Sequence, residues 1–297
     1  MREPSDRLPY SAIIDRPPLP LPGGAPLAVW VIVNVELWSI ARAMPRSVLT
    51  PPMGQPLLPD IANWSWHEYG MRGGFWRLME ALEQANVIPT LAINGAVCEA
   101  YPRVAGAARD AGWEFMGHGF TQGAMHRLED QRDAIRRTME AIRRFTGRAP
   151  IGWESPGLTE TEQTLDHLAE AGIRYVADWV ADDQPVELAT DFGPILSLPY
   201  TVETNDICMM ALQHHPAAEM KQRVIDQFDR LYRDGARATR IMALSVHPYI
   251  SGAPHRIRYF EEALAYIRSR PEVPVWTGAQ IHDWYVSLTR EQAGHGR

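Results

Sequence analysis

The chain has 297 residues, 45% hydrophobic and 22% charged, with a formal net charge of -7. That balance suits one water-soluble domain with a large core, and it lacks the basic surplus that nucleic acid or an anionic membrane would require. Its two cysteines, Cys98 and Cys208, have no C-x-x-C spacing, which argues against a zinc knuckle or a disulfide framework, and no run approaches the roughly 18 consecutive apolar residues of a membrane span.

Residues 1–25 are broken by prolines and lack the apolar core of a secretory signal, so they are expected to form an extended arm packed over the domain, in a cytoplasmic protein. Residues 26–290 are expected to form a single domain and 291–297 a tail. Leu27 to Val35 is continuously apolar and β-branched, the pattern of a strand buried on both faces. A proline-rich connection without regular period follows, Ser47 to Trp66, and helix is expected from Gly73 to Ala85. Thr90 to Ile93 suits a strand, Ala96 to Ala111 a helix, and Trp113 to Met116 a strand running into Gly117-His118-Gly119.

Leu128 to Thr146 has strong helical amphipathicity and a stop at Gly147. Pro150 to Trp153 is strand-like, and Thr159 with Glu162 reads as a capping box for a helix ending near Gly172. Strands are expected at Arg174 to Asp178, Ile195 to Tyr200, Ile241 to Val246 and Val273 to Thr277, and helices at Met220 to Asp234, Arg258 to Ser269 and 279–289. Roughly seven β/α units result. With no G-x-G-x-x-G after the first strand, they predict an α/β fold of the TIM-barrel-like kind, a distorted (β/α)7 barrel.

Acid, base and amide groups stand at strand exits far apart in the chain. They include Asn34 and Glu36, His118 and Gln122, Trp153 and Glu154, Asp178 and Asp182, Glu203, Asn205 and Asp206, and His247. A parallel barrel gathers such exits at one face, where chemistry is done. Taken alone, His118 and His247 would each pass as hydrogen-bonded loop residues, and Asp178 and Asp182 as partners for Arg148 or Arg258. His214 and His215, adjacent in an extended segment, point to opposite faces and read as structural.

In order and spacing these segments resemble the polysaccharide deacetylase family, the NodB-homology carbohydrate esterases, and in particular its allantoinase-like branch. The resemblance rests on V-N-V-E at 33–36, E-Y-G-M-R-G-G-F-W-R-L at 68–78 and G-W-E-F-M-G-H-G at 112–119. It continues through G-R-A-P-I-G-W at 147–153, Y-V-A-D-W-V-A-D-D-Q-P at 175–185 and L-S-V-H-P at 244–248. It implies hydrolysis of a non-peptide carbon–nitrogen bond. Metal-dependent members hold a divalent cation with a first-motif carboxylate and two histidines four residues apart. Here the residue four beyond His118 is Gln122, a poor ligand for zinc-like metals. If Glu36 matches the family's base, the metal carboxylate is missing; if it matches the ligand, Asn34 stands where the base would.

The expected cofactor is therefore none, or one weakly held divalent metal on Glu36 and His118, with His126 a weaker third ligand. Glu36, His118, His247 and Asp178 are the expected catalytic residues: Glu36 activates water, His247 protonates the leaving nitrogen, and Asp178 orients or charges a neighbour. Trp66, Gln122, Trp153, Glu154, Trp179 and Asp182 are expected to line the substrate. A small amide, cyclic ureide or imide is favoured over a polymer. The rivals are a metal-dependent N-deacetylase of sugars and an inactive barrel that binds a carbohydrate or metabolite. A homo-oligomer is expected only on the arm and on Pro51-Pro52, which would reach a neighbour.

Overall fold

The computed structural model describes residues 3–50, 54, 55 and 57–295, so Pro51 and Pro52 lie outside the described residues. Eight strands form one curled sheet: β1 (Leu27–Val35), β2 (Thr90–Ile93), β3 (Glu114–Gly117), β4 (Gly152–Trp153), β5 (Tyr175–Val176), β6 (Val186–Leu188), β7 (Ile195–Ser197) and β8 (Arg240–Val246). Their order is β6-β7-β5-β4-β3-β2-β1-β8, and every pairing is parallel except the β6–β7 hairpin. Seven parallel strands with flanking helices make the distorted (β/α)7 barrel. Its closure is irregular: among the described residues the free edge of β8 pairs with no strand, and only Ile241 N donates to Asp183 O at 2.9 Å and Ser245 N to Thr204 O at 3.1 Å.

Side chains alternate faces along a strand, and here the alternation separates two cores. In β1, Ala28, Trp30 and Ile32 fill the barrel with Ala92, Met116, Tyr175, Leu196 and Ala243. Leu27, Val29, Val31, Val33 and Val35 face the helical layer, against Phe75, Leu78, Val224 and Phe260. This is why β1 is apolar without a break. The same alternation carries through the strand exits: 30, 32, 34 and 36 share the inward parity, as do 116 and 118, 152 and 154, and 241, 243, 245 and 247.

Several elements differ from expectation. Helix starts at Ile61, inside the stretch expected to be irregular; Asp60 caps it by accepting from Asn63 N, and it continues through a π-turn at Gly70–Gly74 into Phe75–Gln84. Its buried residues are polar, Asn63 and His67, so no apolar stripe announces it. Pro102 breaks the 96–111 segment into Val97–Ala100 and Pro102–Asp110. The capping box is absent: the helix is Thr164–Glu170, and the Thr159 hydroxyl donates to Pro156 O. Residues 273–277 give one bridge, Val275 to Val29, rather than a strand, and the last helix, Gly278–His295, runs into the expected tail.

The arm lies on its own barrel, with Arg7 paired to Asp166 and Arg16 to Asp182, each at 2.6 Å. No helix among the described residues is long and apolar enough to cross a membrane. Two of the three glycines of 68–78 have a packing reason: a β-carbon on Gly74 would collide with the Pro248 carbonyl, and one on Gly70 would lie 2.9 Å from Tyr249 N. The π-turn thus seats directly on the loop that follows His247. Gly74→Ala is expected to cost about 1–3 kcal/mol through this overlap, read as a lower denaturant midpoint; an unchanged midpoint would show that the loop can yield.

Candidate functional site

Glu36 leaves β1 on the inward parity and its side chain is only 7% exposed. Its Oε1 accepts from Gln122 Nε2 at 2.8 Å, and its Oε2 accepts from Trp38 Nε1 at 2.8 Å and Tyr249 OH at 3.4 Å. The Nε2 atoms of His118 and His247 both face Oε1, each at 3.6 Å. Burial by itself would raise this carboxyl, but the two imidazoles and their charges outweigh it and hold Glu36 well below the usual carboxylate range.

Each histidine is fixed from behind. His118 Nδ1 lies 2.7 Å from the Glu154 carbonyl, an acceptor, so Nδ1 carries hydrogen and Nε2 is directed at Glu36. His247 Nδ1 lies 2.6 Å from Asp206 Oδ1, while Asp206 Oδ2 accepts from His247 N at 2.8 Å and from Ser251 Oγ at 2.6 Å. Burial pulls His247 down, but Asp206 and Glu36 overcome it and push the imidazole up to about 10. His118 is raised against its burial by Glu36 and Glu154. Glu154, fully buried, is pushed up to about 7 by desolvation, partly opposed by His118, and its Oε2 has no hydrogen-bond partner among the described residues.

The site thus gathers Glu36, His118, Gln122, Glu154 and His247 from the exits of β1, β3, β4 and β8. Trp66 stands at its edge, with its ring 4.9 Å from that of Tyr249. The other expected site residues are elsewhere. Trp153 has the outward parity and is fully buried against Met125, Ile135 and Leu165, so it packs the core rather than meeting a substrate. Asp182 is held by Arg16 of the arm, neither Arg148 nor Arg258. Asp178 does not support His247: its Oδ1 accepts from Ser155 N at 2.6 Å, and with Trp179 and Glu160 it lines a cavity of about 680 Å³ beside Arg7. Burial raises Asp178 against the lowering pull of Glu160 and Ser155, whereas burial and the charge of Asp178 together raise Glu160. His126 is exposed on a short turn, Met125–Arg127, and no ion pair of the described residues involves it.

Three contributors escaped the sequence reading. Asp206 stood among the strand-exit acids, but its pairing with His247 spans 41 positions. Trp38 and Tyr249 carry no motif; inward parity beyond β1 was the available signal for the first, and two-residue spacing from His247 for the second.

A zinc-like cation needs several lone pairs converging on one point. Gln122 offers the opposite, an N–H to Glu36. Its orientation follows from the network, because Gln122 Oε1 already accepts from Asn94 Nδ2 at 3.2 Å, and Asn94 Oδ1 accepts from Leu37 N. No group of three or more His, Cys, Asp or Glu among the described residues is arranged to hold a metal. The donor set does not fit the metal centre of the metal-dependent deacetylases.

Residues 65–176 match the family model for polysaccharide deacetylase. A protein of Schizosaccharomyces pombe described as a polysaccharide deacetylase is 28% identical over 236 residues, covering 73% of this chain and 74% of its own length. The crystal structure of a Pseudomonas aeruginosa protein described as a polysaccharide deacetylase superposes with a TM-score of 0.82 at 25% identity, over 93% of this chain and 97% of that one. The Puue allantoinase superposes with a TM-score of 0.83 at 23% identity, over 94% and 98%. Sequence match, strand-exit histidines and barrel agree, and the chain is similar to the polysaccharide deacetylases, hydrolases that act on carbon–nitrogen bonds.

Proposed function

We propose that the chain hydrolyses the carbon–nitrogen bond of a small amide, cyclic ureide or imide without a bound metal. The observation that carries this reading is the Gln122 amide donating to Glu36 where a metal site would need a second imidazole. In the proposed step, water attacks the carbonyl carbon and gives its proton to Glu36 as the carbon–oxygen bond forms. His247, an imidazolium at neutral pH, gives its Nε2 proton to the nitrogen as the carbon–nitrogen bond breaks.

The imidazoles that keep Glu36 ionised also weaken it as a base, so uptake by Glu36 and release by His247 must be closely coupled. The 3.6 Å gap between the two lets the proton pass back from Glu36 to His247 and reset the pair. His118 supplies positive charge beside the developing oxyanion. Trp66, Glu154 and Gln122 are the substrate-side residues this reading retains; Asp178 and Trp179 would act only at a distance. A cytoplasmic setting goes with a small substrate, and a homo-oligomer remains a proposal resting on the sequence.

The second reading, a metal-dependent sugar N-deacetylase, is favoured by the family match at residues 65–176. A panel of hydantoin, succinimide, allantoin and N-acetylated chitooligosaccharides distinguishes the two. Hydrolysis of a small ring that survives exhaustive dialysis against a chelator is expected, and chelator-sensitive release of acetate, restored by zinc, would overturn the first reading. Binding without turnover across the panel would favour the inactive barrel.

Glu36→Gln is expected to lower kcat by about 10²–10⁴-fold with an unchanged melting temperature; full activity would remove Glu36 from the mechanism. Because the acid form of His247 is required, kcat should hold through neutrality and decline as pH rises through about 10. Asp206→Asn removes the anion that raises that imidazole, so the alkaline limb should move to lower pH, with about tenfold loss per pH unit above it. A limb left in place would exclude His247 as the acid.

A further inference from the structure

Helix Ile61–Tyr69 buries two polar side chains one turn apart, Asn63 and His67. Asn63 is fully engaged: its Oδ1 accepts from Val48 N at 2.7 Å and Leu49 N at 3.0 Å, and its Nδ2 donates to Leu49 O and Asp60 Oδ2. His67 is only half engaged. Its Nδ1 lies 2.9 Å from the Asn63 carbonyl, which can only accept, so Nδ1 carries the hydrogen. In the neutral ring Nε2 then holds a lone pair, and that atom has no hydrogen-bond partner among the described residues although the residue is 5% exposed. A buried acceptor left unpaired costs about 1–3 kcal/mol, and a native protein that keeps one calls for an explanation.

The surroundings supply it. The His67 ring stacks on Trp38 with centroids 3.3 Å apart and lies 4.1 Å from Tyr249 and 5.2 Å from Trp66. Trp38 and Tyr249 are the two side chains that donate to Glu36 Oε2. The unpaired lone pair therefore belongs to a ring packed among three aromatic side chains, two of which donate to the reacting carboxylate. The imidazole stays neutral, because burial, with His247 and Arg46 adding to it, pushes it down to about 4 against the opposing pull of Asn63 and Glu36. A neutral acceptor recognises an N–H, which every unsubstituted ureide or imide ring offers.

We propose that His67 is a substrate-binding residue whose Nε2 accepts an N–H of the substrate, so that the site selects ring amides with a free N–H over their N-alkylated analogues. This rests on the reading of the site as one for small cyclic amides. His67 shapes specificity and takes no proton in the reaction, whereas Glu36 and His247 do the chemistry.

The test uses full-length Glu36→Gln protein, labelled with 15N-histidine, so that probes bind without turnover. The His67 Nε2 signal, assigned by its loss in a variant also carrying His67→Gln, is expected to move upfield on saturation with hydantoin. It should stay in place with 1,3-dimethylhydantoin. In the active enzyme, His67→Phe keeps an aromatic ring but no acceptor and is expected to raise KM for hydantoin about tenfold with little change in kcat, and His67→Gln should recover part of the loss. Hydantoin that binds while the Nε2 signal stays fixed would overturn the inference and leave the small-ring reading standing. Failure of both probes to bind would remove that reading, and this inference with it.

Discussion

An ionised carboxylate almost wholly removed from water is the constraint around which this structure is arranged. Left alone, Glu36 would take up a proton, because burial penalises its charge. It stays ionised because three neutral donors and two imidazoles surround it, drawn from chain positions 38, 118, 122, 247 and 249. Each is supported in turn: His118 by the Glu154 carbonyl, His247 by Asp206, Gln122 by Asn94. Arrangement of this kind stabilises charge only when its dipoles are already in place, so rigidity here is a functional property.

The barrel supplies that rigidity through strand alternation. Glu36, His118 and His247 face the mouth because Trp30, Met116 and Ala243 face the interior at even spacing behind them, and Glu154 does so two residues beyond Gly152, whose missing side chain leaves room for Tyr175. The outward residues Val33, Phe115 and Leu244 bind the same strands to the helical layer. The loop after His247 is pressed by the π-turn at Gly70–Gly74, where a β-carbon on Gly70 or Gly74 would meet backbone. Packing and chemistry share one helix, since His67, one helical turn before that π-turn, stacks on the tryptophan that donates to Glu36.

Besides the first-motif acid that Asn34 and Glu36 cannot both supply, the donor set of the metal-dependent deacetylases and that of this chain differ at the position four beyond His118. An imidazole four residues beyond His118 would present a lone pair; the Gln122 amide presents hydrogen to Glu36, and its oxygen is committed to Asn94. That one residue presents a donor where a ligand would stand, and the charge of Glu36 favours protonation of the two imidazoles beside it. The barrel tolerates the exchange because its fold comes from the two cores and not from the site.

Much of this was legible in the sequence. Continuous apolar character at Leu27–Val35 and Arg240–Val246 fixed the two central strands, and alternating β and α patterns predicted the barrel, because burial on both faces leaves a direct compositional trace. Glu36, His118 and His247 were recoverable as strand-exit residues. Strand parity also separates Glu154 from Trp153. The helix at Ile61 was hidden because it buries Asn63 and His67 instead of an apolar stripe. Partner choice was decided only by the tertiary structure: Asp206 over Asp178 behind His247, and Arg16 over Arg148 or Arg258 beside Asp182. Residue type and spacing set what a side chain can offer, whereas hydrogen bonds and ion pairs act over about 3 Å, a distance that sequence separations of 41 and 166 positions leave undetermined.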